Sequence, residues 1–419
     1  MADIKPYTIA VPDSAIEDLK LRLSLAKFPD ELEGAGWDMG VPLAEVQRLA
    51  RHWQKSHDWR AAERELNKLP NYVTPIQCDG GFEALDIHFV HVRSSAAKAG
   101  QNAIPLLFVH GWPGHFQEVL KILKPLTEGE AGDDTIPVFD VVAPSLPNFG
   151  FSQGTKKRGF ALEQYAETVH KLMLKLGYDE YVTQGGDWGC HITRALAHMY
   201  PSHCRATHIN MDSCSPPSFL TAPLVAARAA LTPHSRREAA GVARTKWFNE
   251  QGRGYNLTQS TKPQTIGYAL ADSPVACLSW IYEKLHDWTD AVGRSWTDDE
   301  VCTWVSMYWF STAGPAASAR IYYEATHNVD SREGKLDHER LRTYSPGVKL
   351  GFSHFPMDLV VLPRSWFATL GEVVFDREHE SGGHFAAWER PKELVADVRE
   401  MFGKGGGAFG CVKGKNGYA

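Results

Sequence analysis

Hydrophobic residues repeat along this chain with two different periods, and the points where the period changes divide it into parts. In "PDSAIEDLKLRLSLAKFPD", Ile16, Leu19 and Leu23 recur at helical spacing, and Ser14 with Glu17 has the spacing of a capping box. Residues 1–75 are therefore predicted to be a helical, charged N-terminal segment. From Ala84 onward the pattern shortens. "ALDIHFVHVR" alternates at its start, and "IPLLFVHGW", "VFDVVAPSLP", "EYVTQGGDWG" and "CRATHINMD" are short apolar runs closed by Gly, Pro or Asp, as strands buried on both faces are. Between them "HFQEVLKILKPL" and "LEQYAETVHKLMLKLG" place apolar residues three and four apart, which predicts amphipathic helices. Strand and helix alternate in this way from 84 to 213, the pattern of a mostly parallel α/β sheet with right-handed crossovers.

The strand signal is lost between 215 and 325, where Pro-rich turns and helical stretches such as "VACLSWIYEKLHDW" take over. It returns at "VKLGFSHFPMDLVVLP" and "GEVVFDREHE". A helical lid over 215–325, inserted in one core made of 76–214 and 326–405, explains this better than two independent domains. The Gly- and Lys-rich stretch 406–419 is expected to be a flexible tail. Within and beside it Gly405, Gly407 and Gly410 have formal GxGxxG spacing, but a dinucleotide fingerprint must follow a strand and open a helix.

With 419 residues, 43% of them hydrophobic, the chain has ample length to bury a large core. A net charge of -6 and the absence of a basic stripe argue against a nucleic acid partner. The N-terminus has no basic-then-apolar signal, and the longest apolar runs fall far short of a membrane span, so a cytoplasmic protein with no membrane anchor is expected. Seven cysteines without CxxC pairs read as free thiols. There is no HExxH or Walker sequence, and His379 and His384 are poorly spaced for a helical metal pair, so neither metal nor cofactor is expected.

The chemistry concentrates in a few turns. "VTQGGDWGCH" follows a predicted strand and sets Asp187 between Gly185 and Gly189, ahead of a helix expected to begin near Cys190. Hydrolases carry a serine at such a strand-to-helix turn, whose small flanking residues let the central side chain stand clear. The Trp188 amide and the positive end of the helix would face the carboxylate and favour its ionised form. "FVHGWPG" follows an earlier strand, where the amide of Trp112 can complete an oxyanion hole. Alone, an aspartate between glycines is more often a plain turn, and so is Gly-Pro beside a buried tryptophan. Two such turns after successive strands weaken both plainer readings. His384 in "HESGGHFAAWERP" and Asp358 in "HFPMDLVVLP" also stand just past predicted strands, giving the chain order nucleophile, acid, histidine. Among 18 histidines and 50 acids such an order arises readily by chance, so its weight comes from the strand ends, where loops gather ligands.

An ionised carboxylate can displace a leaving group from saturated carbon and so become an ester of the enzyme, which His384, oriented by Asp358, would hydrolyse with water. A carbon–halogen bond and an epoxide both suit this plan. Phenolic donors in the helical insertion separate them, because a ring oxygen needs an acid as it becomes an alkoxide.

"HGWPG", "GGDWG", "GYNLTQSTKPQTIGYALADSPVACLSWIYEKL", "ARIYYE", "FPMDL" and "GGHFAAWERP" together resemble the epoxide hydrolases of the microsomal type, especially their soluble fungal members, over nearly the whole chain. The resemblance implies an α/β-hydrolase fold wrapped by an N-terminal epoxide hydrolase segment. It also implies conversion of apolar epoxides to vicinal diols without a cofactor. It casts Asp187 as nucleophile, His384 as base, Asp358 as charge-relay acid, and Tyr255 and Tyr322 as the ring-opening tyrosines. The spacing to Glu324 favours Tyr322 over Tyr323. Trp112 and Trp188 are expected to flank a pocket walled also by Phe149, Phe151 and Trp309, although most buried aromatics are core. A homodimer is implied by the relatives alone. Several relatives have Glu where this chain has Asp358, and Asp212 is the alternative acid. A dehalogenase using the same ester, or a noncatalytic binding protein of this fold, are the competing readings.

Overall fold

A computed structural model describes residues 3–94, 102–128, 135–220, 222–292, 296–327 and 336–418. Residues 221 and 293–295 of the expected insertion, 328–335 of the second core segment and 419 of the tail lie outside the described residues.

Nine strands make one sheet. They are β1 (Lys5–Pro6), β2 (Asn71–Ile76), β3 (Leu85–Val92), β4 (Ile104–Val109), β5 (Phe139–Pro144), β6 (Tyr181–Gly185), β7 (Cys204–Ile209), β8 (Lys349–His354) and β9 (Glu372–Glu378). The order is β1-β2-β3-β5-β4-β6-β7-β8-β9. Strands β4 to β9 run parallel, and β1, β2 and β3 add an antiparallel edge. Every residue of β4, β5 and β6 is buried, which is why these strands read as mainly apolar runs, interrupted only by Asp140, Thr183 and Gln184. β4 lies between β5 and β6, so the strand order reverses there. The crevice beyond the carboxyl ends of β4 and β6 is where ligands gather in open parallel sheets.

Between β7 and β8 the described residues form helices and no strand, among them Arg236–Trp247, Gly254–Thr261, Pro274–Asp287, Asp298–Trp309 and Arg320–His327. The N-terminal helix Leu43–Lys55 braces this insertion. The Trp53 indole donates to Ser306 Oγ at 2.9 Å, His52 meets Asp299 at 2.7 Å, and Trp37 stacks on His286 with ring centres 3.5 Å apart.

Two expectations need correction. The first helix runs Asp13–Ser24 from a Pro12 cap with no side-chain cap bond, so Ser14 sits inside the first turn and the capping box does not form. Leu19 and Leu23 are buried as the spacing predicts. The stretch 406–419 is not a loose tail over its described part. Ala408, Val412 and Tyr418 are buried, and Gly417 donates to the Asn102 carbonyl at 2.8 Å while accepting from Val138 at 3.0 Å. Gly406 and Gly407 reflect close packing, whereas Gly410 and Gly414 take positive φ in turns. A Cβ at Gly406 would meet the Glu400 carbonyl oxygen at 2.0 Å, and one at Gly407 would meet Val374 Cβ at 2.5 Å.

Candidate active site

The turn after β6 is built by its glycines. Asp187 caps the helix Trp188–Met199 with φ 49° and ψ −128°, a conformation that L residues seldom adopt. Its neighbours permit this by packing without side chains. A Cβ at Gly189 would meet the Val109 carbonyl oxygen at 1.9 Å, one at Gly185 the Gly189 oxygen at 2.6 Å, and one at Gly186 the Asn210 amide at 2.7 Å. The turn after β4 presses from the other side, where a Cβ at Gly111 would stand 2.2 Å from Asp187 Oδ1.

This contact brings the Trp112 amide to Asp187 Oδ1 at 2.7 Å. Three groups hold the loop. His110 accepts from the Leu146 amide through Nε2 at 3.1 Å, and from the insertion Trp304 Nε1 donates to the Pro113 carbonyl and the Tyr308 hydroxyl to that of Gly114, both at 2.6 Å. Burial pushes the His110 pKa down to about 4, so its imidazole is neutral and can accept. The Trp188 amide makes no hydrogen bond to the carboxylate, because Oδ2 is turned instead toward His384 Nε2, 3.2 Å away.

His384 lies between two carboxylates. Its Nδ1 is 2.6 Å from Asp358 Oδ1, and that oxygen also accepts the Leu359 amide at 2.7 Å. Burial disfavours the imidazolium, but Asp358 and Asp187 outweigh it and raise the His384 pKa to about 10. Asp212 is engaged elsewhere. It meets His354 Nδ1 at 2.7 Å and accepts the Leu362 amide at 2.8 Å, so it does not serve as partner to His384.

Asp187 and Trp188 line a cavity of about 370 Å³ between sheet and insertion, with Tyr255 and Tyr322 on its insertion side. The Tyr255 ring stacks on Trp112 at 5.0 Å, and Tyr322 stands edge-on to Trp112, Trp188 and Tyr255. The Tyr322 hydroxyl is buried with no hydrogen-bond partner among the described residues. Burial and the Asp187 charge hold both phenols well above their ordinary pKa, so both are protonated donors. Tyr323 points away and stacks on His327.

The three expected pocket aromatics are elsewhere. Phe149 is buried beneath His110. Phe151 is drawn toward Tyr7 and Phe116 by the turn that Ser152 ties to Ser145, and it lines a separate surface hollow with Trp309. Trp309 follows Tyr308 by one helical step, about 100° round the helix, and so faces Trp53 instead of the cavity.

Residues 4–119 match the family described as the epoxide hydrolase N terminus, and residues 104–249 match the alpha/beta hydrolase fold. A Stigmatella aurantiaca (strain DW4/3-1) protein, itself named only as a candidate epoxide hydrolase, is 40% identical over 404 residues, 95% of this chain and 84% of its own. Epoxide hydrolase 1 of Sus scrofa is 33% identical over 415 residues, 96% of this chain and 88% of its own. The chain belongs to the epoxide hydrolases. The solved structure of the Aspergillus niger epoxide hydrolase covers 94% of this chain and 94% of its own with a TM-score of 0.78 at 33% identity. No helix among the described residues is long and apolar enough to cross a membrane.

In this epoxide hydrolase two groups near the site escape sequence reasoning. Glu389 accepts the amides of Asp290, Gly383 and Phe385 at 2.9, 3.1 and 2.9 Å, and so fixes the loop on both sides of His384. Burial raises its pKa to about 7 in spite of these donors. Glu118, on the short turn Phe116–Val119, shares a small chamber with Asp187 and His384. A glutamate in an amphipathic segment carries no signal that sets it apart from the other acids of the chain.

Proposed function

We propose that this enzyme opens apolar epoxides to vicinal diols through a covalent ester on Asp187. The observation that carries the reading is a carboxylate held at both oxygens, by the Trp112 amide and by His384, on the same cavity as two protonated phenols. Asp187 attacks a ring carbon, and the departing oxygen takes a proton from Tyr255 or Tyr322, leaving a phenolate. Phe248, Met211, Leu359, Val360 and Leu362 give the cavity an apolar wall suited to the substrate's hydrocarbon part.

Ester formation removes the charge on Asp187 and with it one of the two carboxylates that keep His384 protonated. The imidazolium then returns the proton to the phenolate and becomes a base. Water adds to Cγ of the ester, one proton passes to His384 Nε2, and the oxyanion on Asp187 is met by the Trp112 amide. Breaking the Cγ–O bond releases the diol, which takes the remaining acid proton, and restores the carboxylate–imidazolium pair. Asp358 orients the ring throughout. A dehalogenase could use the same ester, but the two buried phenols suit a leaving group that must be protonated.

His384→Gln is expected to form the ester and fail to hydrolyse it. Intact mass spectrometry after mixing with styrene oxide should show the protein heavier by one epoxide. Unmodified protein, or chloride release from haloalkanes without any diol from styrene oxide, contradicts the reading.

A further inference from the structure

Beside His384, and sharing Asp187 with the larger cavity, lies a chamber of about 10 Å³, room for the centre of one water molecule. Its wall includes Asp187, His384, Glu118 and Gln184 together with the main chain of Gly111 and Gly114. One of these side chains has a buried polar atom not used by protein. Gln184 spends its amide NH₂ on Asn210 at 2.6 Å, while its Oε1 is buried with no partner. The Glu118 carboxyl lies against the Gly114 main chain, so close that a Cβ there would meet Oε1 at 1.7 Å, and its protein partner is the His115 backbone. A half-buried carboxyl and an unpartnered buried amide oxygen around a space of one water, next to the base and the ester carbonyl, are an arrangement that holds water.

We propose that Glu118 holds the water that hydrolyses the Asp187 ester, orienting its oxygen toward Cγ of Asp187 and one hydrogen toward His384 Nε2. The step rests on the ester reading given above and balances as written there. The water's O–H bond breaks, its proton goes to His384, and the new C–O bond forms on Asp187. Glu118 gains and loses no proton in the net step. Burial pushes its pKa up to about 8, with His384 opposing and Asp187 adding to the rise, so near neutral pH its carboxyl both donates and accepts hydrogen bonds. The chamber lies on the Gly111–Gly114 side of Asp187, whereas the substrate cavity lies on the Tyr255 and Tyr322 side. Water can therefore stay in place while substrate and ester occupy the cavity.

The role predicts a split between the two half-reactions. Glu118→Gln and Glu118→Ala, mixed with excess enzyme over styrene oxide, should form the ester within about twofold of the wild-type rate, since the water takes no part in alkylation. Ester hydrolysis should slow by roughly 10-fold in the Gln variant, which keeps a hydrogen-bonding group, and by roughly 100-fold in the Ala variant. Quenched-flow mass spectrometry reads both rates, and the isosteric Gln variant decides the matter if the Ala variant does not fold. Hydrolysis at the wild-type rate, or equal slowing of both half-reactions, overturns the assignment of Glu118. If His384→Gln also gives no adduct, the ester reading itself fails and this proposal with it.

Discussion

Asp187 can take part in two turns at once only because four residues around it lack side chains. Gly185, Gly186 and Gly189 let the end of β6 close on β4, and Gly111 lets the carboxylate reach the Trp112 amide. The result is a carboxylate positioned by backbone on one oxygen and by His384 on the other, which in the proposed reaction lowers the entropy of attack. Opposite it, in the proposed reaction, Tyr255 and Tyr322 divide the acid's work, so losing one leaves the other in place. Tyr255→Phe and Tyr322→Phe are each expected to slow ester formation by roughly 10- to 100-fold, and the double variant by more than either. Single-turnover rates with styrene oxide test this, and a single variant at the wild-type rate would remove that tyrosine from the mechanism.

The elements that carry the site differ in how plainly the sequence announces them. The central strands and their turns were legible, because β4, β5 and β6 are buried throughout and rich in apolar residues, and the turns after β4 and β6 carry the glycines Gly111, Gly185, Gly186 and Gly189. The two-residue β1 is too short for any period, and β2 carries Pro75, which breaks a strand pattern. Phe149, Phe151 and Trp309 misled because neighbours in sequence diverge in space. The helix that supplies Tyr308 to the Gly114 carbonyl turns Trp309 toward the N-terminal segment. Tyr255 and Tyr322 became legible through family resemblance, not spacing, since their meeting depends on how the helices Gly254–Thr261 and Arg320–His327 pack. That packing is braced from outside by the helix Leu43–Lys55, whose Trp53 is buried and bonded to Ser306 on the helix that holds the "HGWPG" loop. Trp53→Ala should cost about 3–5 kcal/mol of stability and lower kcat as well, because the Pro113 and Gly114 contacts loosen with the helix. Denaturant melts paired with turnover would show it. A large stability loss with unchanged kcat would mean that the brace does not reach the site.

Across the whole molecule, the sheet supplies Asp187, Asp358, His384 and Trp112, while the insertion supplies the phenols and closes the cavity. In the proposed mechanism electrostatics then links the two half-reactions. In the resting protein His384 has its pKa raised from an ordinary 6.5 to about 10, so its charged form stabilises the fold fully below about 6.5 and this contribution is lost as pH rises through 10. In the ester only Asp358 still supports the charge, so the His384 pKa falls and more of it becomes base as pH rises. The share of enzyme held as ester at steady state should therefore decrease from pH 6 to pH 9, read by rapid quench and mass spectrometry. An ester share that grows with pH would contradict the role given to His384. The ester itself is tested most directly by one turnover in heavy-oxygen water with enzyme in excess of styrene oxide. The account predicts an unlabelled diol and one heavy oxygen in the Asp187 carboxylate, found by peptide mass spectrometry. A labelled diol beside an unlabelled Asp187 would mean that water attacks the epoxide directly and that no ester forms.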